Sequence, residues 1–197
     1  MPYTLEHKSQ SRDRILTAAV DLFCRFGFDQ ISITRVMKQA NMTHGAFYAH
    51  FKSKSELYAL AIRHAAMQSL WVKEQHNISN IGHFTTLIDA YLSLAHVNQL
   101  GAPCPLAFLV TDVAHCNDAV RESYQQTFQA MLTSMSEQLT ALGLTHSYSL
   151  AQQILTRLVG TVSIARTLAD KDLQQSLLEN SRRDLHQLLA PTAVLHK

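Results

Sequence analysis

The segment from Thr43 to Tyr58, THGAFYAHFKSKSELY, combines groups that suit the binding of a polyanion. It holds four aromatic rings, two histidines and two lysines, and Gly45 lies near its start. A glycine at a helix start lets a phosphate approach the backbone amides, and the helix N-terminus favours that anion. The run Ser53–Glu56 is a capping box, which predicts Lys54 in the first turn of another helix. The segment therefore has the parts of a clamp for a phosphate backbone.

Residues that usually carry catalysis or bind metals show no recognisable pattern in this chain. The eleven histidines and three cysteines form neither H-E-x-x-H nor C-x-x-C, and the sequence has no P-loop, G-x-S-x-G or G-x-G-x-x-G motif. We therefore predict that the protein is not an enzyme and has no catalytic residues, metal site or cofactor. Cys104, flanked by two prolines, is a candidate sensor of oxidants or electrophiles, although cysteines on apolar helices are more often inert.

Composition and charge place the polyanion-binding face in the first quarter of the chain. Four prolines and six glycines among 197 residues interrupt long stretches of helix formers, which predicts an all-α fold. Residues 1–54 hold eight Lys/Arg and four Asp/Glu, whereas the remainder holds nine and eleven. This asymmetry favours a polyanion partner for the first part, although a net charge of +4 is also an ordinary solvated surface. The absence of a long apolar run or secretory signal predicts a cytoplasmic protein without membrane contact.

Two helices and a tight turn must position the segment. An apolar stripe at helical spacing predicts a first helix that Gly27 ends. Ser32 is expected to cap a second short helix, and Asn41 tolerates the positive φ of a turn into a third helix from Thr43. The result is a helix-turn-helix whose last helix reads its partner. The stripe of the first helix comprises Ile15, Ala19, Leu22, Phe23 and Phe26.

The aromatic residues of the third helix divide between core and surface. Phe47 and Phe51 are one helical turn apart, so both can anchor this helix on the first two. Tyr48 then lies on another face and is free to contact a partner.

Residues 11–58, above all ITRVMKQANMTHGAFYAHFKSKSELY, resemble the DNA-binding region of the TetR (tetracycline-repressor) family of bacterial one-component regulators. The likeness rests on the inter-helix turn, the small residue after the Thr-x start, the aromatic-Tyr-x-His-Phe core and the lysine of the following cap. Many family members have Gly where this chain has Asn41, and Arg or Lys where it has His44. The resemblance implies that double-stranded DNA is approached by Thr34, Thr43, His44, Gly45, Ala46, Tyr48, His50 and Lys54.

Simpler interpretations stand beside three of these assignments. Tyr48 could be only a packed ring, His50 a structural hydrogen-bonding residue, and Lys54 a solvated lysine. None of the three explains the conjunction of residues in the segment.

The sequence predicts a DNA-binding domain of residues 1–54 and a helical ligand-binding and dimerisation domain of residues 55–197. A long fourth helix is expected through ELYALAIRHAAMQSLWVKEQ. Five large apolar side chains are candidate contacts for an apolar small-molecule effector, and they suit an ordinary core equally well. They are Tyr91, Phe108, Phe128, Met131 and Met135. Further helices are expected at about 82–98, 105–116, 118–142, 149–169 and 172–189.

Leucine-rich stripes on the last two helices predict a homodimer that meets through a four-helix bundle, or else simply the core of one chain. The family resemblance implies the dimer interface. Together these features predict a repressor that binds a palindromic operator as a dimer and is released by a small-molecule ligand. The alternative is a helical small-molecule-binding or enzyme-like protein whose N-terminal helices serve only packing.

Overall fold

The computed structural model describes residues 5–99 and 104–190, and within these ranges the chain forms α-helices and two 3₁₀ helices without a β-strand. The predicted all-α fold is confirmed. The α-helices are α1 (Leu5–Phe26), α2 (Ile33–Gln39), α3 (Lys54–Met67), α4 (Leu70–Glu74), α5 (Ile81–Tyr91), α6 (Leu94–Val97), α7 (Pro105–Phe108), α8 (Val110–Val113), α9 (Asp118–Ala141), α10 (Ser147–Ala165) and α11 (Lys171–Leu189). The 3₁₀ helices are His44–Ala49 and Gln75–Asn77.

The described residues group into two compact units. Of these residues, the first unit combines 5–73 with 104–131, and the second combines 74–99 with 132–190. This grouping places α3, α7 and α8 with the first two helices. The predicted functional boundary after residue 54 is a different division of the chain, and it stays a prediction.

In the first unit, α1 packs against α2 and α3 through the predicted apolar stripe. Ile15, Leu22 and Phe23 are fully or almost fully buried. Gly27 ends the helix as predicted, with φ of +79° and its amide donating to the Phe23 carbonyl at 2.8 Å. The prediction was wrong for Phe26, which is 46% exposed and carries the Arg35 guanidinium 4.3 Å from its ring centroid.

The turn from α2 into His44–Ala49, which we call the reading segment, also forms as the sequence predicts. The Ser32 hydroxyl accepts a hydrogen bond from the Arg35 amide at 3.2 Å, and Asn41 has φ of +54°. The expected third α-helix is instead a 3₁₀ helix, with the amides of Ala46 and His50 donating to carbonyls three residues earlier. Gly45 has low helix propensity, and the Thr43 side chain does not cap the segment. Both features disfavour an α-helix here, and the short segment forms the tighter 3₁₀ helix.

The long fourth helix was predicted too long, because the chain breaks at Gln68 and Ser69. The Gln68 amide donates to the carbonyls of both His64 and Ala65, which closes α3. The Ser69 hydroxyl then accepts from the Val72 amide at 3.3 Å and starts α4. A serine competes well for backbone groups, and apolar periodicity does not register that competition.

The other predicted helices agree in part with the structure. Those at 118–142, 149–169 and 172–189 correspond to α9, α10 and α11. Those at 82–98 and 105–116 are each interrupted, because Ser93 caps a new helix through the His96 amide and Leu109 leaves helical geometry. At Ser93 a short polar cap again overrides the apolar pattern, whereas no side chain caps the break at Leu109.

In the second unit, α10 and α11 pack as an antiparallel pair, and α5 packs on α11. The Thr161 and Ser181 hydroxyls lie 3.0 Å apart between α10 and α11, and the side-chain amide of Gln174 donates to the Ala165 backbone carbonyl at 2.7 Å. Leu158 and Leu185 are buried between the same helices. The core alternative is therefore correct for these leucines.

We predict that Gly27→Ala is more destabilising than Gly143→Ala. Both glycines end a helix with φ near +80°, where a Cβ costs about 1–2 kcal/mol. A Cβ at Gly27 would also lie 3.3 Å from Oδ1 of Asp112, whereas one at Gly143 would have no described atom within 4 Å. Urea denaturation should show a further loss of about 1 kcal/mol for Gly27→Ala. Equal losses would show that the Asp112 side chain moves aside freely.

Candidate nucleic-acid interface

The reading segment His44–Ala49 presents its polar groups to solvent on a buried aromatic anchor. Phe47 and Phe51 are buried, as predicted, with ring centroids 5.6 Å apart. Tyr48 is 62% exposed and lies edge-on to the rings of His44 and Phe47. The interpretation of Tyr48 as a fully packed ring is therefore wrong.

Most of the other predicted contact residues are also exposed. Thr34 and Thr43 lie on the surface beside the starts of α2 and the 3₁₀ helix, and His44 and Gly45 are exposed. Ala46 is half-buried. A Cβ at Gly45 would meet no described atom within 4 Å, so the protein itself does not require glycine there.

Two arginines of α1 fix the ends of the elements that lie beneath this surface. Arg14 donates to the Ala40 carbonyl at 2.6 Å, and Arg12 donates to the His50 carbonyl at 2.7 Å. The Arg12 guanidinium also lies 4.7 Å from the centroid of the Phe51 ring. Carbonyls at helix C-termini lack partners within the helix. Each arginine therefore gives such a carbonyl a hydrogen-bond donor and offsets the partial negative charge of the helix end.

The net charge of the N-terminal part is therefore only partly available to a partner. Arg25 pairs with Asp21 at 2.6 Å, in addition to the two arginines that bind carbonyls. Arg35, Lys38 and Lys52 remain exposed on the same part of the chain. These three cations belong to no recognisable sequence motif, and their exposure marks them as further candidates for contact with phosphates.

His50 lies against the core and not on the open surface. Its side chain is 8% exposed, and its Nδ1 is buried without a hydrogen-bond partner among the described residues. Burial, and then the charges of Lys8 and Arg12, lower its pKa from the ordinary value. A neutral imidazole without an acceptor at Nδ1 favours the proton on Nε2. His50 is thus placed to donate one hydrogen bond, and its burial supports the structural alternative.

The predicted capping box at the start of α3 is present with one difference. The Ser53 hydroxyl accepts from the Glu56 amide at 3.0 Å, and the Glu56 carboxylate accepts from the Lys52 amide at 2.5 Å. The reciprocal bond therefore comes from the residue before the cap. Lys54 is half-buried, with Nζ 4.0 Å from the centroid of the Phe28 ring, so it is more than a solvated lysine.

The five candidate effector contacts are divided between the two units. Phe108, Phe128 and Met131 belong to the first unit, and Tyr91 and Met135 belong to the second. Phe108 and Met135 are buried, and the other three are half-buried. In the first unit, a groove of about 460 Å³ between α1 and α3 includes none of the five. It is lined by Asp13, Thr17, Val20, Asp21, His64, Ala65 and Gln68.

The remaining candidate chemistry is sparse in the part of the chain that the structure describes. Cys104 is buried immediately before α7, and neither it nor Cys24 or Cys116 forms a disulfide there. No group of three His, Cys, Asp or Glu side chains in these ranges could hold a metal ion. No helix between residues 5–99 or 104–190 has the length and apolar character to cross a bilayer.

The N-terminal helices match a known protein family. Residues 15–61 match the model of the bacterial regulatory proteins of the tetR family. An uncharacterised HTH-type transcriptional regulator in the lacX 3′ region of Lactococcus lactis subsp. lactis is 23% identical over 175 residues, which are 84% of this chain and 88% of that protein. The HTH-type transcriptional regulator AcrR of Shigella flexneri is 31% identical over 78 residues, which are 40% of this chain and 32% of that protein.

A solved structure extends the similarity of fold to almost the whole chain. The reduced form of NemR from E. coli superposes with a TM-score of 0.76 at 17% identity, covering 91% of this chain and 97% of the other. These relatives give no support to the enzyme-like alternative. With the buried aromatic anchor and the exposed reading segment, the match identifies the N-terminal region as the DNA-binding region of the tetR family of bacterial regulatory proteins, and the protein is a DNA-binding transcriptional regulator of the helix-turn-helix type.

Proposed function

We propose that this regulator is a repressor that binds a palindromic operator as a homodimer and leaves it when a small-molecule effector binds. The observation that carries the DNA contact is the exposure of Tyr48 beside two buried rings, with Gly45 open to solvent on the same segment. In a 3₁₀ helix, residues three apart share a face, so Gly45 and Tyr48 point the same way. This face offers backbone amides and a phenol to a phosphate.

Each predicted contact residue has a role that fits its position. Thr34, His44 and Ala46 lie at or beside the starts of the two short helices and are the proposed neighbours of base edges. The remaining residues are proposed to position the protein on the sugar-phosphate backbone. They are Thr43, Gly45, Tyr48 and Lys54, whereas the buried His50 is assigned the structural role.

The test of DNA binding is a gel shift with duplex DNA from upstream of the protein's own gene, followed by selection from a randomised duplex library. A true operator should emerge as an inverted repeat. Its affinity should fall with salt by roughly −0.9 in log K per log salt for each phosphate contact. A protein that enriches no sequence and shows no salt dependence is not an operator-binding regulator.

We predict that Gly45→Ala weakens operator binding without weakening the fold. The added methyl meets no described atom of the chain, and alanine is favoured over glycine in helices by about 0.5–1 kcal/mol. Thermal unfolding should therefore occur at an equal or higher temperature. Operator affinity should fall by roughly tenfold, because the methyl occupies the space proposed for the DNA backbone. A variant that keeps wild-type affinity would show that DNA does not approach this backbone.

The proposed homodimer uses the exposed apolar side chains of α10 and α11. Ile164 is 55% exposed and Leu173 is 52% exposed, and Leu188 is also exposed. Leu158 and Leu185 are buried within the single chain, so polar changes there would disturb folding and would not report on assembly. A symmetric dimer suits a palindromic operator because two linked heads bind far better than one.

We predict that Ile164→Glu combined with Leu173→Glu produces a folded monomer. Both side chains are more than half exposed in the subunit, so the charges cost little there but are expelled from an apolar interface. Sedimentation velocity should show the change in mass, and operator affinity should fall at least roughly a hundredfold. Leu94→Glu, at an exposed position of α6, is the matched control and should stay dimeric. A double variant that remains dimeric would place the interface elsewhere.

The proposed effector is apolar, and its candidate contacts remain Tyr91, Phe108, Phe128, Met131 and Met135. Native mass spectrometry of the purified protein can identify a retained molecule. Cys104 stays a candidate sensor, although an oxidant would have to reach a buried thiol.

We predict reciprocal coupling between the effector and the operator. A molecule that lowers operator affinity tenfold requires about 1.4 kcal/mol of coupling, so its own affinity must fall tenfold when operator is bound. Isothermal titration of the molecule identified by mass spectrometry, with and without operator, measures both values. Equal affinities in the two titrations would show that this molecule is not the releasing signal.

A further inference from the structure

One carboxylate in α8 accepts hydrogen bonds from two groups that are far away along the chain. Oδ2 of Asp112 lies 2.8 Å from the Phe28 amide nitrogen, in the turn between α1 and α2. The same oxygen lies 2.5 Å from the Tyr58 hydroxyl, on α3. Asp112 therefore connects α3 with the loop that leads into the helix-turn-helix.

The turn that Asp112 reaches is contacted by several other groups. The Phe28 ring lies 5.0 Å from the Tyr58 ring and 6.1 Å from the Phe23 ring, measured between centroids. The Lys54 ammonium covers the Phe28 ring at 4.0 Å. The preceding residue, Gly27, has φ of +79°, and a Cβ there would lie 3.3 Å from Oδ1 of Asp112. The backbone and the ring of Phe28 are thus held by different partners.

The hydroxyl of Tyr58 remains a donor to Asp112 at any ordinary pH. The Tyr58 side chain is fully buried. Burial first, and then the hydrogen bond and charge of Asp112, raise its pKa well above the ordinary value. If the carboxylate were removed, both the Tyr58 hydroxyl and the Phe28 amide would lose their acceptor, and a buried polar group without a partner is strongly disfavoured.

We propose that Asp112 is a positioning residue for DNA reading. Its carboxylate fixes the Gly27–Phe28 turn, and through that turn it sets where α2 and the 3₁₀ reading segment lie relative to α3. A contact group must be held within about 0.5 Å of its productive position by its supporting residues. The proposal rests on the proposed operator binding, and it assigns a role in that binding to a residue remote from the DNA contacts.

The test compares Asp112→Ala with Asp112→Asn. Asparagine can place its amide oxygen at the position of Oδ2 and accept both hydrogen bonds, whereas alanine accepts neither. The probe is the duplex that the wild-type protein selects from a randomised library. We expect Asp112→Ala to bind it roughly tenfold more weakly and Asp112→Asn to bind within about threefold of wild type. Circular dichroism confirms that each variant is folded at the temperature used.

Two further readouts separate positioning from the loss of a phosphate contact or of stability. Base preference and the slope of log K against log salt should be unchanged in Asp112→Ala, because no phosphate contact is removed. Hydrogen exchange without DNA should be fast at the Phe28 amide in Asp112→Ala and slow in wild type and Asp112→Asn. If Asp112→Ala does not fold, Tyr58→Phe should bind about threefold more weakly while the Phe28 amide stays protected.

Several outcomes overturn the proposal. These are wild-type affinity in Asp112→Ala, equal weakness of the alanine and asparagine variants, a flattened salt slope, or unchanged exchange at Phe28. Wild-type affinity in Tyr58→Phe overturns it where the alanine variant is unfolded. A wild-type protein that binds no duplex overturns the proposed function, and this inference with it. If the wild-type protein selects an operator but one of the variant outcomes above is found, the inference alone has failed and the proposed function stands.

Discussion

The burial of Phe47 and Phe51 determines which groups of the reading segment face outward. With Phe47 fixed in the core, the three-residue turn of the 3₁₀ helix directs Gly45 and Tyr48 together to one exposed face. The chemistry of that face depends on the anchor. In the proposed operator contact, a phenol and an uncovered backbone can meet a phosphate because the neighbouring rings hold the segment against α2.

The anchor alone does not hold the segment in place, because a six-residue 3₁₀ helix is marginal by itself. Arg12 and Arg14 bind the carbonyls at the ends of the 3₁₀ helix and α2, and Asp112 holds the turn before α2. These three charged side chains, which in the sequence contribute only to the net charge, thus form hydrogen bonds that hold backbone segments of the first unit in place. In the proposed operator complex, the cations left to attract DNA are the exposed Lys8, Arg35, Lys38 and Lys52 and the half-buried Lys54.

The sequence predicted the parts of this site that depend on neighbouring residues. Ser32, Asn41 and Ser53 each act within a few positions along the chain, so their caps and turn were visible in advance. The exposure of Phe26 and the break before Ser69 depend on competition between local bonds and packing, which periodicity does not resolve. Asp112 could not be found, because its partners lie 84 and 54 residues away.

The C-terminal helices show a different limit of sequence reasoning. A leucine stripe records that a helix face is covered, but not whether the cover comes from the same chain or a second copy. The structure separates the two cases by exposure, because Leu158 and Leu185 are covered by their own chain whereas Ile164 and Leu173 are not. Any apolar surface that a second copy buries must therefore come from the uncovered set. The proposed homodimer would therefore depend on a few side chains at the margin of the stripe rather than on its centre.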